Sequence, residues 1–310
     1  MSAKNIRKLL ITGSTGLVGS RFVEISKNNF SIITLGRNNV DIQINLTNKE
    51  EVSKAIQLSD ADAVLNFAAY TNVDESEKEK GDTSGEVYIL NTLLPFWLAK
   101  NCQVSGKKLY HFSTDYVFDG TKADRPYTEK DTPKPVDSWY SLTKYKGELN
   151  IAKGFKDEGD FAIIRISYPY SGVYERKLDI ARTIVRRLSD KQSYLGITDQ
   201  KVKPTSVDDV ANALTLLLQK GASGVFHVAG DFTPNRYITP YEFAVKIAEI
   251  FELDSSLIHP VTFLEFSKER KAPRPQHTWL DTTKIESMGI DLSSFEKALN
   301  RFKQQMQSSK

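Results

Sequence analysis

The segment KLLITGSTGLVGSRFVEI, residues 8–25, determines how the first part of this chain folds. Its first five residues form a short apolar run that is typical of a buried strand. Gly13, Gly16 and Gly19 follow at three-residue spacing and predict a tight turn, because glycine adopts backbone conformations that other residues avoid. Apolar residues at helical spacing come next, so the segment predicts a strand, a glycine turn and a helix in that order.

Such a glycine turn suits a phosphate-bearing ligand. Glycines let backbone N–H groups approach a pyrophosphate, and the start of the following helix adds a partial positive charge. The spacing GxxGxxG differs from the dinucleotide fingerprint GxGxxG, so a turn without any ligand is the alternative. We favour a dinucleotide site, and the predicted cofactor contacts of the turn are Gly13, Thr15, Gly16, Leu17, Val18 and Gly19.

The same alternation of short apolar runs and amphipathic stretches continues to about residue 165. Further strands are predicted at residues 31–35, 63–68, 108–113, 161–166 and 224–230, and later helices at residues 179–188 and 239–251. This pattern predicts an α/β fold with a doubly wound parallel Rossmann sheet. We expect residues 1–165 to form an NAD(P)-binding domain with return segments near 195–230, and residues 166–310 to form mainly a smaller, interleaved substrate-binding lobe.

Composition excludes several classes of protein. The 310 residues are 40% hydrophobic and 26% charged, as in an ordinary globular protein. The net charge of +3 is too small to indicate a nucleic acid or a membrane surface as a partner. The N-terminal apolar run is too short for a secretion signal or a membrane span. Cys102 is the single cysteine, which excludes an internal disulfide and favours the cytoplasm.

One strongly charged run, DESEKEKGD at residues 74–82, has the composition of an interaction tail. It lies between a predicted strand and a helical pattern. We therefore predict a solvated loop.

The end of the second predicted strand bears on cofactor choice. In NAD-specific folds an acidic residue near this point binds the ribose 2′-hydroxyl, whereas here the strand is followed by Arg37 and Asn38. A guanidinium pairs well with a 2′-phosphate. We predict NADPH as the cofactor, with NADH possible, and an exposed loop arginine as the alternative without a ligand.

Tyr140 and Lys144 lie four residues apart in WYSLTKYKGE, so both project from one face if this segment is helical. A nearby ammonium would lower the pKa of the tyrosine and prepare it for acid–base chemistry. A YxxxK pair is common by chance, and its context is STDYVFDG, which follows the fourth predicted strand. Ligands bind at the carboxyl ends of strands in open α/β sheets, where Thr114 could hydrogen-bond a carbonyl group.

Together these motifs resemble the extended short-chain dehydrogenase/reductase family, and within it the RmlD-like dTDP-4-dehydrorhamnose reductases. The resemblance covers almost the whole chain. It rests on GSTGLVG at Gly13, NFAAYTNVDESE at Asn66, STDYVFDG at Ser113, YSLTKYKGE at Tyr140, DQKVKPTSVDDVA at Asp199 and APRPQHTWLD at Ala272.

The resemblance implies an activity and a role for each matching residue. The activity is hydride transfer from NADPH to the C4 carbonyl of a nucleotide-linked 4-dehydro-6-deoxyhexose, converting dTDP-4-dehydro-L-rhamnose to dTDP-L-rhamnose. Tyr140 would be the proton donor, Lys144 would tune it and hold the nicotinamide ribose, and Thr114 would anchor the carbonyl. The implied substrate contacts are Thr71, Val73, Thr114, Asp115, Tyr116, Tyr168 and Arg274. The further implied cofactor residues are Asn45, Leu46, Asn66, Ala68, Ala69 and Asn91, together with Tyr140 and Lys144.

Some of these residues have plain structural alternatives. Tyr168 could belong to a packed loop, and Arg274 to a stiff surface turn. Departures from the family pattern also leave the exact substrate open. Tyr140 is followed by Ser141 where a glycine is usual, the segment of residues 74–91 looks longer than usual, and Asn45 stands where an aspartate is usual near adenine.

Two other functions remain open at this point. Relatives that are NAD-dependent epimerases or dehydratases share the glycine loop and the Tyr/Lys pair, although Arg37 and STDYVFDG argue against them. The regulatory beta subunit of methionine adenosyltransferase resembles these reductases without being one, so a non-catalytic NADP-binding role is the second alternative.

Metal and oligomeric state are less determined. The four histidines are scattered, so no metal site is predicted, and a magnesium ion at a subunit contact, as in some relatives, stays uncertain. A monomer and a homodimer are both compatible with the sequence.

Overall fold

A computed structural model describes residues 6–156, 158–233 and 237–308. The strands are β1 (Lys8–Thr12), β2 (Ser31–Gly36), β3 (Ile42–Gln43), β4 (Ala63–Asn66), β5 (Lys108–Thr114), β6 (Phe161–Ile166), β7 (Pro169–Tyr170), β8 (Tyr194–Ile197), β9 (Thr205–Ser206), β10 (Gly224–Val228) and β11 (Ile258–Val261). The helices are α1 (Leu17–Ser26), α2 (Lys49–Leu58), α3 (Val73–Ser76), α4 (Glu86–Tyr88), α5 (Leu94–Ser105), α6 (Trp139–Gly154), α7 (Ile180–Ser189), α8 (Val207–Gln219), α9 (Pro240–Phe251), α10 (Phe263–Lys268), α11 (Thr283–Glu286) and α12 (Phe295–Ser308). A π-helical segment, Ile89–Leu93, joins α4 to α5.

The main sheet has seven parallel strands in the order β10-β6-β5-β4-β1-β2-β3. The chain builds outward from β1 to β2 and β3, then returns to β4 on the other side of β1. This reversal places a crevice at the carboxyl ends of β1 and β4, where open α/β sheets bind ligands. The predicted doubly wound Rossmann sheet is confirmed, and so is the return of the strand near residue 224 to its edge.

The strands are apolar on both faces because helices cover both faces of the sheet. Leu9 and Ile11 of β1 pack in one cluster with residues of α1 and α8, such as Phe22. Leu10, between them, points to the opposite cluster, which contains residues of α2, α5 and α6 such as Val52. Successive side chains of β1 therefore pack alternately into the apolar clusters on the two faces of the sheet.

A third apolar cluster lies under α7, α9 and α12, where Tyr170, Phe243 and Phe302 are buried. Two small parallel sheets, β8 with β11 and β7 with β9, belong to the same half of the chain. Meanwhile α8 and β10 join the main sheet, which agrees with the interleaving expected from the sequence. The division of the chain near residue 165 stays a prediction.

Within the part of the chain described here, no helix has both the length and the apolar content that a bilayer crossing requires.

The prediction of a solvated loop at residues 74–82 is wrong. Residues of this run form α3 and a 3₁₀ turn, Glu77–Glu79. Asp74 binds Arg274 through both carboxylate oxygens, at 3.0 and 2.9 Å. Glu77 accepts a hydrogen bond from the backbone N–H of Trp139, at the start of α6. Asp74 and Glu77 thus bind groups that are distant in sequence, and the composition of the run alone does not indicate these partners.

Candidate active site

A cavity of about 880 Å³ opens at the carboxyl ends of the central strands. Its walls come from the glycine turn after β1 and from the segments that follow β2, β4, β5 and β6. Most of the residues predicted to bind cofactor or substrate line it, namely Gly13, Thr15, Gly16, Leu17, Val18, Gly19, Arg37, Leu46, Ala68, Ala69, Thr71, Val73, Thr114, Asp115, Tyr116, Tyr140, Lys144 and Tyr168. Parts of the chain more than 150 residues apart thus face one space.

The glycine turn packs directly against the segment after β4. Gly13 has φ +70°, and a Cβ there would come within 2.5 Å of the backbone nitrogen of Ala68. Gly16 precedes α1 without offering a side-chain cap, so the first N–H groups of the helix are left for another acceptor. The hydroxyls of Ser14 and Ser113 are buried in the cavity wall and have no hydrogen-bond partner among the described residues. The open N–H groups and the Ser14 hydroxyl fit the pyrophosphate of a dinucleotide.

Helix α6 brings the predicted acid–base residues into the wall. Ser138 caps it by accepting a hydrogen bond from the backbone N–H of Ser141. The two hydroxyls also bond to each other at 2.8 Å, so Ser141 strengthens the helix start at the position where the family usually has glycine. Tyr140 and Lys144 are both buried on one face of the helix, as the spacing predicts.

The pKa of Tyr140 is raised rather than lowered. Burial disfavours the phenolate, and a hydrogen bond with the Thr114 hydroxyl offsets only part of this effect. The predicted lowering by Lys144 is therefore wrong for this structure. Lys144 directs its ammonium to the carbonyl oxygen of Phe112 at 2.7 Å, and burial is the dominant influence on the tyrosine.

Burial also lowers the pKa of Lys144, from an ordinary value of 10.5 to about 8. The carboxylate of Glu148, one helical turn further along α6, opposes this shift. The lysine therefore remains largely charged near neutral pH. It provides a positive charge next to the buried tyrosine.

This shift makes a testable prediction about stability. Between pH 8 and 10.5 the unfolded chain retains the Lys144 proton that the folded chain has released, so this group makes the free energy of unfolding rise with pH. Lys144→Met removes that contribution. In urea unfolding without nucleotide, the free energy of unfolding of the wild type should rise relative to that of the variant between pH 7.5 and 10. A difference that is constant with pH would contradict the assigned shift.

Asp115 holds the Thr114 hydroxyl in place. Thr114 donates to one carboxylate oxygen at 3.0 Å, and Ser167 donates to the other at 2.7 Å. Burial raises the pKa of Asp115 to about 6. Because the protein already engages both oxygens, the structure supports a positioning role for Asp115, and its contact with substrate stays a prediction.

Two tyrosines line the wall next to Tyr140. The ring of Tyr116 meets that of Tyr140 edge-on, with centroids 5.8 Å apart. Tyr168 has φ +45°, which is rare for an aromatic residue, and its carbonyl oxygen accepts a hydrogen bond from Thr205. Strained backbone of this kind concentrates at functional sites.

Four predicted residues are absent from the cavity wall: Asn45, Asn66, Asn91 and Arg274. Asn91, in the π-helical segment, holds the backbone of Tyr70 from behind, with Oδ1 2.9 Å from its nitrogen and Nδ2 3.1 Å from its oxygen. Asn66 is fully buried between Thr12 and His111. Asn66 and Asn91 therefore support the wall from the inside, and direct cofactor contacts by them stay predictions.

Asn45 and Arg274 lie at the two ends of the site. The amide oxygen of Asn45 accepts from Thr47 and is 3.5 Å from the Arg37 guanidinium. Arg274 is held by Asp74 and lies close enough to Tyr116 to oppose the burial that raises the pKa of that phenol to about 12. Arg274 is thus placed behind the predicted sugar contacts.

Sequence reasoning missed the acidic residues that face these arginines. Glu86, at the start of α4, lines the cavity and binds Arg37 at 2.8 Å. Asp74 binds Arg274 across 200 residues of sequence. No local pattern indicates either pair. Among the described residues, no group of three or more His, Cys, Asp or Glu side chains is arranged to hold a metal ion.

The family described as the RmlD substrate binding domain matches residues 7–308. The chain belongs to the RmlD family. The match includes both the glycine turn and the segment around Arg274. RmlD-family membership therefore applies to the whole described site.

Relatives of this RmlD-family chain differ in what they do. The methionine adenosyltransferase 2 subunit beta of Rattus norvegicus is 32% identical over 296 residues, which cover 92% of this chain and 83% of that protein. A dTDP-4-dehydrorhamnose reductase from Clostridium acetobutylicum has a similar structure, with TM-score 0.84, 27% identity and coverage of 97% and 99% of the two chains. The dTDP-4-dehydrorhamnose reductase of Bacillus anthracis, solved in complex with NADP, gives TM-score 0.83 and 26% identity, covering 96% and 98%.

Proposed function

We propose that this protein is an NADPH-dependent reductase of the C4 keto group of a nucleotide-linked 4-dehydro-6-deoxyhexose, with dTDP-4-dehydro-L-rhamnose as substrate. One observation carries the proposal: Thr114, Tyr140 and Lys144 line the same cavity that the glycine turn enters. The NADP complex of the Bacillus anthracis reductase supports the cofactor. The free, buried thiol of Cys102 is compatible with the cytoplasmic location predicted from the sequence.

Burial keeps the phenol of Tyr140 in its protonated form. At neutral pH this phenol holds its proton, so it is ready to give a proton to an oxygen that becomes negative. Thr114 can turn its hydrogen from Asp115 to the same oxygen and polarise the carbonyl. Lys144, still charged on the same face of α6, would hold the nicotinamide ribose.

The cofactor would be held by the glycine turn, by Arg37 and by Lys144. Bound NADPH would supply the hydride. On the other side, Tyr116 and Tyr168 line the part of the wall where the sugar would lie, with Arg274 behind them.

The direct test is to mix purified protein with NADPH and enzymatically generated dTDP-4-dehydro-L-rhamnose and to follow NADPH absorbance. We expect consumption of NADPH that depends on the keto-sugar. NADPH binding without turnover would rule out this substrate.

A regulatory role is the second candidate, because the chain is 32% identical to a methionine adenosyltransferase beta subunit. The test is to add the protein to a purified catalytic subunit of that enzyme and to measure its rate of synthesis. A change in that rate, together with no turnover of the keto-sugar, would favour regulation. No change would remove this candidate.

A further inference from the structure

Two residues of opposite charge form an ion pair in the cavity wall, where the adenosine of a dinucleotide would lie. Arg37 follows β2 and Glu86 begins α4, and both line the cavity. The guanidinium donates to the Glu86 carboxylate at 2.8 Å. Their side chains are 58% and 41% exposed, so both remain accessible to a ligand.

Each residue matches a different cofactor. The ribose of a dinucleotide bound at a Rossmann glycine turn lies near the end of the second strand, where an acidic residue accepts from the 2′-hydroxyl and an arginine pairs with a 2′-phosphate. Here Arg37 occupies the local position, and Glu86 brings the carboxylate from 49 residues further along the chain. A 2′-phosphate that approaches Arg37 must displace Glu86 and then faces its negative charge.

Glu86 is held at this point by its neighbours. The backbone N–H of Val87 donates to a Glu79 carboxylate oxygen at 2.9 Å, and the Val87 side chain is fully buried. Gly85 leaves room for that carboxylate, because a Cβ there would come within 2.3 Å of it. The charged run that carries Glu79 therefore fixes the start of α4, and with it the position of Glu86.

We propose that Glu86 determines how strongly the protein prefers NADPH over NADH. The inference rests on the proposed function only for the identity of the cofactor. Glu86 competes with the 2′-phosphate of NADPH for Arg37, and it accepts a hydrogen bond from the 2′-hydroxyl of NADH.

The test is nucleotide binding, measured by fluorescence titration of purified protein with NADPH and NADH in the absence of sugar. For Glu86→Gln we expect the preference for NADPH to rise by about five- to tenfold, because one negative charge beside the phosphate is removed. The change should shrink as salt is added, since exposed charges are screened. For Arg37→Ala we expect the opposite shift, with NADPH affinity falling and NADH affinity kept.

Asp190→Asn is the matched control. Asp190 forms another exposed ion pair, with Arg186 on α7, and this substitution removes its carboxylate. Asp190 lies outside the cavity wall. If Glu86→Gln changes both affinities no more than this control does, the inference is overturned while the proposed reductase function stands. If wild type binds neither nucleotide, both are overturned.

Discussion

Replacing Tyr140 by phenylalanine is expected to reduce keto-sugar-dependent NADPH oxidation by about 10²- to 10⁴-fold, the usual contribution of a general acid. The reason is that this hydroxyl is the proposed proton donor, and burial keeps it protonated. The change removes one oxygen atom and keeps the ring that packs edge-on against Tyr116. The loss should therefore appear in kcat, with little change in the affinity for NADPH.

Tyr110→Phe is the control for this experiment. Tyr110 is buried in β5, outside the cavity wall, and its hydroxyl has no hydrogen-bond partner among the described residues. We expect this variant to keep wild-type turnover. If Tyr140→Phe retained more than a tenth of the rate, another group would have to deliver the proton.

Local patterns in the sequence predict six of the seven strands of the main sheet and miss the two-residue edge strand β3. Residues 8–12 and 161–166 are both predicted as strands with the bounds that the structure shows, because all but one residue of each run is buried. Other strands differ at their ends by one or two residues. There the chain passes from the sheet into the cavity wall, and side-chain contacts rather than periodicity decide where pairing stops.

Charge partners could not be predicted in this way. The pair of Asp74 with Arg274 joins segments 200 residues apart, and the pair of Arg37 with Glu86 joins the segment after β2 to the start of α4. A run such as residues 74–82 looks solvated because its composition carries no information about distant arginines. Folding brings the opposite charges together.

The pKa of Tyr140 could not be predicted from local sequence either. The spacing of Tyr140 and Lys144 gives their common helix face, which the structure confirms. The direction of the tyrosine pKa shift depends on how completely the site is buried, and burial is a property of the whole fold. Residue spacing can therefore identify the pair but not its protonation.

Removing the Glu148 carboxylate tests how much the buried ion pair between α6 and β6 contributes to stability. Glu148 binds Arg165 of β6 through both oxygens, at 3.0 and 2.7 Å, and the two side chains are only 5% and 4% exposed. Glu148→Ala leaves a buried guanidinium without its carboxylate, so we expect the free energy of unfolding in urea to fall by about 3–5 kcal/mol. Glu249→Ala, which breaks an exposed pair with Lys246, should cost less than about 1 kcal/mol.

The double variant Glu148→Leu/Arg165→Met separates stability from electrostatics. It replaces the buried pair by apolar groups and should recover most of the lost stability. It still lacks the carboxylate that raises the pKa of Lys144, so that pKa should fall below its value of about 8. The lysine would then lose its charge at lower pH, and the basic limb of the pH–rate profile should move to lower pH in a protein that is stably folded. An unchanged profile would mean that Glu148 serves the fold alone.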